Sequence, residues 1–309
     1  MKKALVSVII NCFNGEEYLS DCIDSILCSS YHNFEIIFFD NASTDNSLKV
    51  VNAYSDSRIK KCIRKSNVPL GLARKEALKL TNGELICFLD VDDILDSNAF
   101  KNYIDVWEET SFDVFYGGIY RINATSETIG SYKPLRNTNV LADDLLKNFD
   151  VNVPSLCISK KALITKGVEF DPSIKCCEEF DIMIHMISKN ALIISSPEIF
   201  SSYRIHENSL TAKNLDVAAF ERRYILDKYK KTSAILGSKY YKHAYLKSYY
   251  YEARYYFDSG NLDMARANMK KTRSGSLIFK LLYALLIISP TLWSKFHVLK
   301  GRRVIRIYG

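Results

Sequence analysis

The stretch Gly83-Glu84-Leu85-Ile86-Cys87-Phe88-Leu89-Asp90-Val91-Asp92-Asp93 decides the fold, because a short apolar run ends abruptly in three carboxylates. Leu85 to Leu89 reads as a strand covered on both faces. Crowding Asp90, Asp92 and Asp93 at its end is electrostatically costly unless a cation or donor groups offset the repulsion. Hard divalent cations take oxygen ligands, and Mg²⁺-type ions are often shared between one or two carboxylates and a substrate's phosphates. The competing reading makes Asp92 or Asp93 merely the cap of the next helix, for which one aspartate suffices.

Working outward, three more apolar, β-branched runs precede this one: Val6 to Ile10, Phe34 to Phe39 and Ile59 to Ile63. Helical patterns separate them, with Tyr18, Leu19, Cys22, Ile23 and Ile26 on one face of a helix that starts near Glu16. The alternation predicts βαβ units and an α/β fold with a mainly parallel, Rossmann-like sheet flanked by helices. Ligands bind such sheets beyond the carboxyl ends of the strands. Asn11 to Gly15, Asp40 to Asp45 and Asp90 to Asp93 are therefore expected to converge.

Further along, residues 98 to 109 read as a helix, and Asp113 to Ile122 as a strand carrying Gly117-Gly118. The polar segment Asn123 to Asn139 reads as a loop. Ser159 to Thr165 and Glu178 to Lys189 read as helices, and Glu198 to Ile205 as a final strand. A boundary near Ser209 to Asn214 divides a catalytic domain, 1–212, from a helical, basic region, 213–309. In the latter, segments 216 to 235, 238 to 258 and 261 to 272 suggest helical hairpins, with a turn at Gly260-Asn261.

Of the 309 residues 48% are hydrophobic and 25% charged, which excludes wholesale disorder. Eight cysteines without a Cys-x-x-Cys pair suggest neither a disulfide framework nor a zinc ribbon, and fit a reducing cytoplasm. Met1-Lys2-Lys3 and the apolar run after it mimic the opening of a signal peptide, but the run stops at Asn11 with no small-residue cleavage site. The net charge of +7 hides an asymmetry: residues 210 to 309 hold 20 Lys or Arg against 6 Asp or Glu, a net of +14. An anionic membrane surface or a polyanionic substrate would answer that charge; nucleic acid is not expected, because no recognised binding motif accompanies it. Leu277 to Ile288 is apolar apart from Lys280, and Trp293 and the basic residues Lys295, Lys300, Arg302, Arg303 and Arg306 follow. A membrane span needs about 20 apolar residues. The segment therefore reads as an interfacial helix anchored by Trp293 and basic side chains, or else as a helix packed on the catalytic domain.

Four ordered segments now point to a known group: Val6 to Gly15, Phe39-Asp40-Asn41-Ala42-Ser43-Thr44-Asp45, Asp90-Val91-Asp92-Asp93, and Gly167 to Asp181. Together they resemble the family 2 glycosyltransferases of the GT-A fold, inverting enzymes that use nucleotide sugars, over roughly residues 4 to 210. By this resemblance the turn Asn11-Cys12-Phe13-Asn14, which lacks the family's proline, meets the nucleotide base through its backbone. Asp40, followed by Asn41, matches the acidic residue that contacts the base, commonly uracil; the plain alternative is an Asx turn with Asn41. Arg74 matches an arginine near base or phosphate, against the alternative of a solvated helix-face charge. Asp90-Val91-Asp92 looks like the Asp-x-Asp motif. Asp92 would then bind Mn²⁺ or Mg²⁺, Asp90 would hold ribose or support the metal, and Asp93 would be a cap or an outer support.

Glu179 aligns with the family's general base, usually an aspartate one methylene shorter, and Glu178 is its substitute. Glu178, Glu179 and Asp181 could equally be ordinary acids at a helix start. Gly167 is expected to permit a close backbone approach near the acceptor, or to be a turn glycine. His206, in Tyr203-Arg204-Ile205-His206, is similar to a closing-segment histidine that reaches metal or diphosphate.

The resemblance implies transfer from a UDP-sugar to a glycan or lipid-linked acceptor in cell-surface polysaccharide synthesis, peripherally at the inner face of the membrane. A non-catalytic nucleotide-sugar binder or assembly scaffold is the competing function. A nucleotidyltransferase is a third, opposed by the lack of a Gly-rich, basic phosphate loop near Asn11 to Glu17.

Overall fold

Val6–Cys12 (β1) and Phe34–Asp40 (β2) are buried along their whole length, as parallel strands covered on both faces must be. The computed structural model describes residues 3–134, 139–207, 209 and 215–299. The remaining strands are Ile59–Ile63 (β3), Leu85–Phe88 (β4), Ile94–Leu95 (β5), Val114–Ile122 (β6), Thr128–Tyr132 (β7), Leu156–Ser159 (β8) and Ile193–Arg204 (β9). They form one sheet in the order β3-β2-β1-β4-β8-β6-β9-β5, with β7 added on β6. The first four strands are mutually parallel, as the βαβ alternation predicts. Beyond β4 the sheet is mixed: β8 runs antiparallel to both β4 and β6, while β9 is parallel to β6 and antiparallel to β5. The exposed lysines Lys60 and Lys61 guard β3 at the sheet edge.

The first helix, Leu19–Leu27 (α1), buries Leu19, Cys22, Ile23 and Ile26 against the sheet core, the face read from the sequence. Ser47–Asn52 (α2), Leu70–Leu78 (α3), Ala99–Thr110 (α4), Ala142–Lys147 (α5), Lys160–Thr165 (α6) and Glu178–Ser188 (α7) follow. On the far half of the sheet, Tyr103 packs edge-on against Phe115 and Phe200, and the three ring centroids lie 5.2 to 5.7 Å apart. Gly117 makes room for this packing, since a Cβ there would lie 2.2 Å from the Phe200 ring.

The chain divides into two compact units: Met1–Leu141 with Asp150–Ile174 and His185–His206, and Ala142–Phe149 with Lys175–Ile184 and Glu207–Gly309. Among the described residues all nine strands lie in the first, and the regular elements of the second are helices. Its helices include Leu215–Tyr229 (α8), Ser233–Leu236 (α9), Tyr241–Asp258 (α10), Leu262–Lys271 (α11), Leu277–Ile288 (α12) and Pro290–Leu299 (α13). Gly260, at φ 80°, turns α10 into α11, and the Asn261 side chain caps α11 by accepting the Met264 N–H.

Two expectations change. Asn123 to Asn139 is not simply a loop, because β7 folds back on β6 as a hairpin. Trp293 does not anchor an interface: it is fully buried in the second unit's core, against His297, Tyr250 and Phe257. Its burial follows from the break at Ser289, whose extended backbone ends α12 and lets Trp293 of α13 join Phe279, Leu282 and Leu286 in one core. The boundary segment, apart from Ser209, and the basic tail of Lys300, Arg302, Arg303 and Arg306 lie outside the described residues.

Candidate active site

Cys12 of β1 pairs with Asp40 of β2, and Ile9 of β1 with Phe88 of β4. The turns after these three strands therefore leave the sheet at the same edge, where α/β sheets hold ligands. Asn11 is buried, and its Nδ2 has no hydrogen-bond partner among the described residues. Phe13 is exposed. Asn14 adopts φ 54°, which asparagine tolerates. Its Oδ1 accepts the Thr44 N–H at 2.8 Å and its own N–H donates to Ser43 Oγ at 3.0 Å, sewing the first turn to the second.

Asp40 is fully buried. Its Oδ2 accepts the Ser43 N–H at 3.1 Å, so the turn-forming bond goes to Ser43 and not to Asn41. The other oxygen, Oδ1, has no hydrogen-bond partner among the described residues, and a buried acceptor in that state is costly. The Asn41 amide clamps Val68 in both directions, with Nδ2 donating to its carbonyl at 2.8 Å and Oδ1 accepting its N–H at 3.1 Å. Arg74 is no solvated charge: it is buried, donates to Asp90 Oδ1 at 2.7 Å and lies 5.8 Å from the Phe88 ring centroid.

The acidic turn closes when the Asp93 N–H donates to the Asp90 carbonyl at 3.0 Å. Strand β5 follows directly and the N-cap of α4 is Asn98, so neither Asp92 nor Asp93 caps a helix. Asp93 is buried and its Oδ1 accepts the Arg204 N–H at 2.9 Å. Burial, together with the charges of Asp92 and Asp90, pushes its carboxyl well above the usual carboxylate range. Asp92 is half-buried, with Oδ2 2.8 Å from His206 Nε2, and the His206 ring lies 5.2 Å from that of Tyr18.

Pairing of β5 with β9 delivers Arg204 and His206 to this turn. Arg204 is almost wholly buried. Its Nε donates to the Asp92 carbonyl at 2.8 Å, and Nη1 reaches the Asn123 and Ala124 carbonyls and Ser126 Oγ. Its guanidinium also stands 4.4 Å from the Tyr18 ring centroid. Sequence reasoning gave Arg204 no role of its own; the available signal is an arginine two residues before His206 at the end of a strand. Gly15 was also passed over. A Cβ there would fall 2.2 Å from Val91 Cγ2, so its absence is what seats the acidic turn on the turn after β1.

Asp92 and His206 thus present a carboxylate oxygen and an imidazole nitrogen side by side, a donor set that fits a divalent ion completing its shell with phosphate oxygens. Asp90 is committed to Arg74. A second cluster of potential metal donors, Cys176, Cys177 and Glu221, lies in the second unit. There Glu221 accepts the N–H groups of Lys175 and Cys176 at 2.6 and 3.1 Å, so it clamps the turn before α7.

Glu178 and Glu179 open α7 in the second unit. Glu178 is buried and Glu179 half-buried, while Asp181 is buried and paired with Lys228 at 3.1 Å. Gly167 is a turn glycine at φ 62° with nothing within 4 Å of a Cβ position. The close approach occurs instead at Gly71, where a Cβ would meet the Asp171 carbonyl at 3.0 Å.

A family model described as "Glycosyl transferase family 2" matches residues 7–166. The chain belongs to glycosyltransferase family 2. This glycosyltransferase is 28% identical over 213 residues to the UDP-Glc:alpha-D-GlcNAc-diphosphoundecaprenol beta-1,3-glucosyltransferase WfgD of Escherichia coli, covering 69% of this chain and 81% of that one. Its fold matches TarS of S. aureus, residues 1–349 in complex with UDP-GlcNAc, with a TM-score of 0.67 at 16% identity over 97% of this chain and 90% of that chain. The mannosyltransferase PcManGT of Pyrobaculum calidifontis, in complex with GDP-Man and Mn2+, matches with a TM-score of 0.64 at 14% identity, over 98% and 85% of the two chains. The fold is thus GT-A, and membership of a glycosyltransferase family speaks for sugar transfer and against the scaffold alternative.

Proposed function

We propose that this glycosyltransferase moves a sugar from a UDP-sugar to a hydroxyl of a glycan or lipid-linked acceptor, with inversion, in cell-surface polysaccharide synthesis at the inner face of the membrane. The observation that carries the reading is the Asp92–His206 pair, fixed by Arg204 at the end of β4. WfgD, whose name records a UDP-Glc donor and a diphosphoundecaprenol acceptor, supports the substrate classes. In this reading residues 1–212 form the catalytic domain and 213–309 the basic helical region.

Asn11 Nδ2 and Asp40 Oδ1 offer the nucleotide base one donor and one acceptor, both lacking hydrogen-bond partners in the protein among the described residues. The backbone of Phe13 and Asn14 flanks the base. Asp90, oriented by Arg74, receives ribose hydroxyls. Asp92 and His206 would hold Mn²⁺ or Mg²⁺. When bound, the ion supplies positive charge against that developing on the departing diphosphate. Glu179 takes the proton of the acceptor hydroxyl as its oxygen attacks the anomeric carbon from the face opposite the diphosphate. One C–O bond forms, the sugar–phosphate bond breaks, and the configuration inverts. Glu179 is favoured over Glu178 because it is the less buried of the two.

The test incubates purified protein with Mn²⁺, a UDP-sugar panel and a diphospholipid-linked sugar. UDP release with a product of opposite anomeric configuration is expected, and Asp92→Ala should lower turnover by about 100-fold or more. Retained configuration, undiminished turnover in Asp92→Ala, or no turnover with any donor would refute the reading.

A further inference from the structure

Helix α12 is apolar nearly all round, and among the described residues one of its faces enters a core while the opposite one is exposed. Phe279, Leu282 and Leu286 enter the second unit's core with Tyr250, Met269 and Trp293. On the opposite side Leu277, Leu281 and Ile288 are 71%, 60% and 81% exposed, and Ile278 on α12 and Leu292 on α13 are exposed as well. Positions 277, 281 and 288 fall on one stripe at helical spacing, where a surface helix ordinarily carries polar residues. An apolar stripe of this kind on a surface marks an interaction site.

The charge around the stripe selects the partner. After Asp263 the sequence contains no acidic residue, while residues 264 to 309 carry ten Lys or Arg. Among them Lys280 on α12 itself and Lys295 on α13 are exposed. Pairing this surface with a second copy would set basic residues against basic residues, whereas an anionic bilayer offers hydrocarbon to the stripe and phosphate to its lysines. At 12 residues α12 is about 18 Å long, short of the roughly 30 Å hydrocarbon core. No helix of the described residues is long and apolar enough to cross a membrane. The geometry points to α12 lying in the plane of an anionic lipid surface, with Leu277, Ile278, Leu281 and Ile288 inserted and Lys280 and Lys295 at the headgroups. This deepens the proposed membrane location by naming the surface and the lipid class.

Sedimentation of the full chain with vesicles of phosphatidylcholine, alone or mixed with phosphatidylglycerol, tests it. The expected result is recovery with the mixed vesicles, little with the neutral ones, and a loss of roughly tenfold or more in binding for Leu281→Asp with Ile288→Asp. Because a charged pair could disturb folding, Lys280→Glu with Lys295→Glu is the second variant, and it should weaken binding to the mixed vesicles by a similar factor. Failure of the wild type to bind mixed vesicles, or unchanged binding by both double variants, overturns the proposal. So does a wild-type dimer that Leu281→Asp with Ile288→Asp converts to monomer. The readout needs no sugar transfer, so an inactive but vesicle-bound protein would sink the catalytic reading alone.

Discussion

Without the Arg204 guanidinium, the backbone carbonyls of Asp92, Asn123 and Ala124 would lose their shared donor, at about 1–3 kcal/mol for each acceptor left unsatisfied. Arg204→Lys keeps the charge but not the planar fork. It is expected to lower stability by about 2 kcal/mol or more in urea unfolding and to raise the KM for the donor, because the acidic turn relaxes. Unchanged unfolding would show that the turn holds itself. Glu179→Gln removes the proposed base while leaving shape intact. It should cut kcat by roughly 10²- to 10⁴-fold with little change in UDP binding by calorimetry, and Glu178→Gln should do less. The roles of Arg204 were hidden in the sequence because its partners are mainly main-chain carbonyls, which leave no mark on residue identity. The acidic turn was legible for the opposite reason, since three carboxylates after an apolar run are visible in the residues themselves.

At the scale of elements, β1, β2 and β4 could be read because burial on both faces demands unbroken apolar runs. Strand β8 could not, since Leu156-Cys157-Ile158-Ser159 is only four residues long and abuts a helix. Strand β7 is exposed along most of its length and carries no alternation to betray it. The turns after β1 and β4 were expected to converge, but the seating of Val91 on Gly15 was invisible, because it depends on an atom that Gly15 lacks. Gly15→Ala should cost about 1–3 kcal/mol through the clash with Val91. Combining it with Val91→Ala should recover part of that loss, and a double-mutant cycle that proved strictly additive would deny the contact.

Across the whole molecule, Glu35 is one of the carboxylates that link stability to acid. Buried in β2, it accepts Ser7 Oγ at 2.6 Å and also bonds Lys60 and Asn82, so one carboxylate ties β1, β2, β3 and the approach to β4. Burial alone would raise its pKa, but these bonds outweigh burial and hold the carboxyl down at about 2. A depressed carboxylate stabilises the fold above its unfolded pKa of about 4.3 and loses that contribution as pH falls through the folded value. Melting temperature should therefore drop between about pH 4.5 and pH 2, and Glu35→Gln should flatten that decline; an identical slope in the variant would shift the cause elsewhere. The charge asymmetry of the sequence marks a basic C-terminal region, but it does not disclose that residues 142–149 and 175–184 join the helical unit. The single methyl of Val91 resting on Gly15 has one more effect. Through it the turn after β1, itself bonded to the turn after β2 by Asn14, has no room to shift toward the acidic turn without displacing the backbone that bears Asp92.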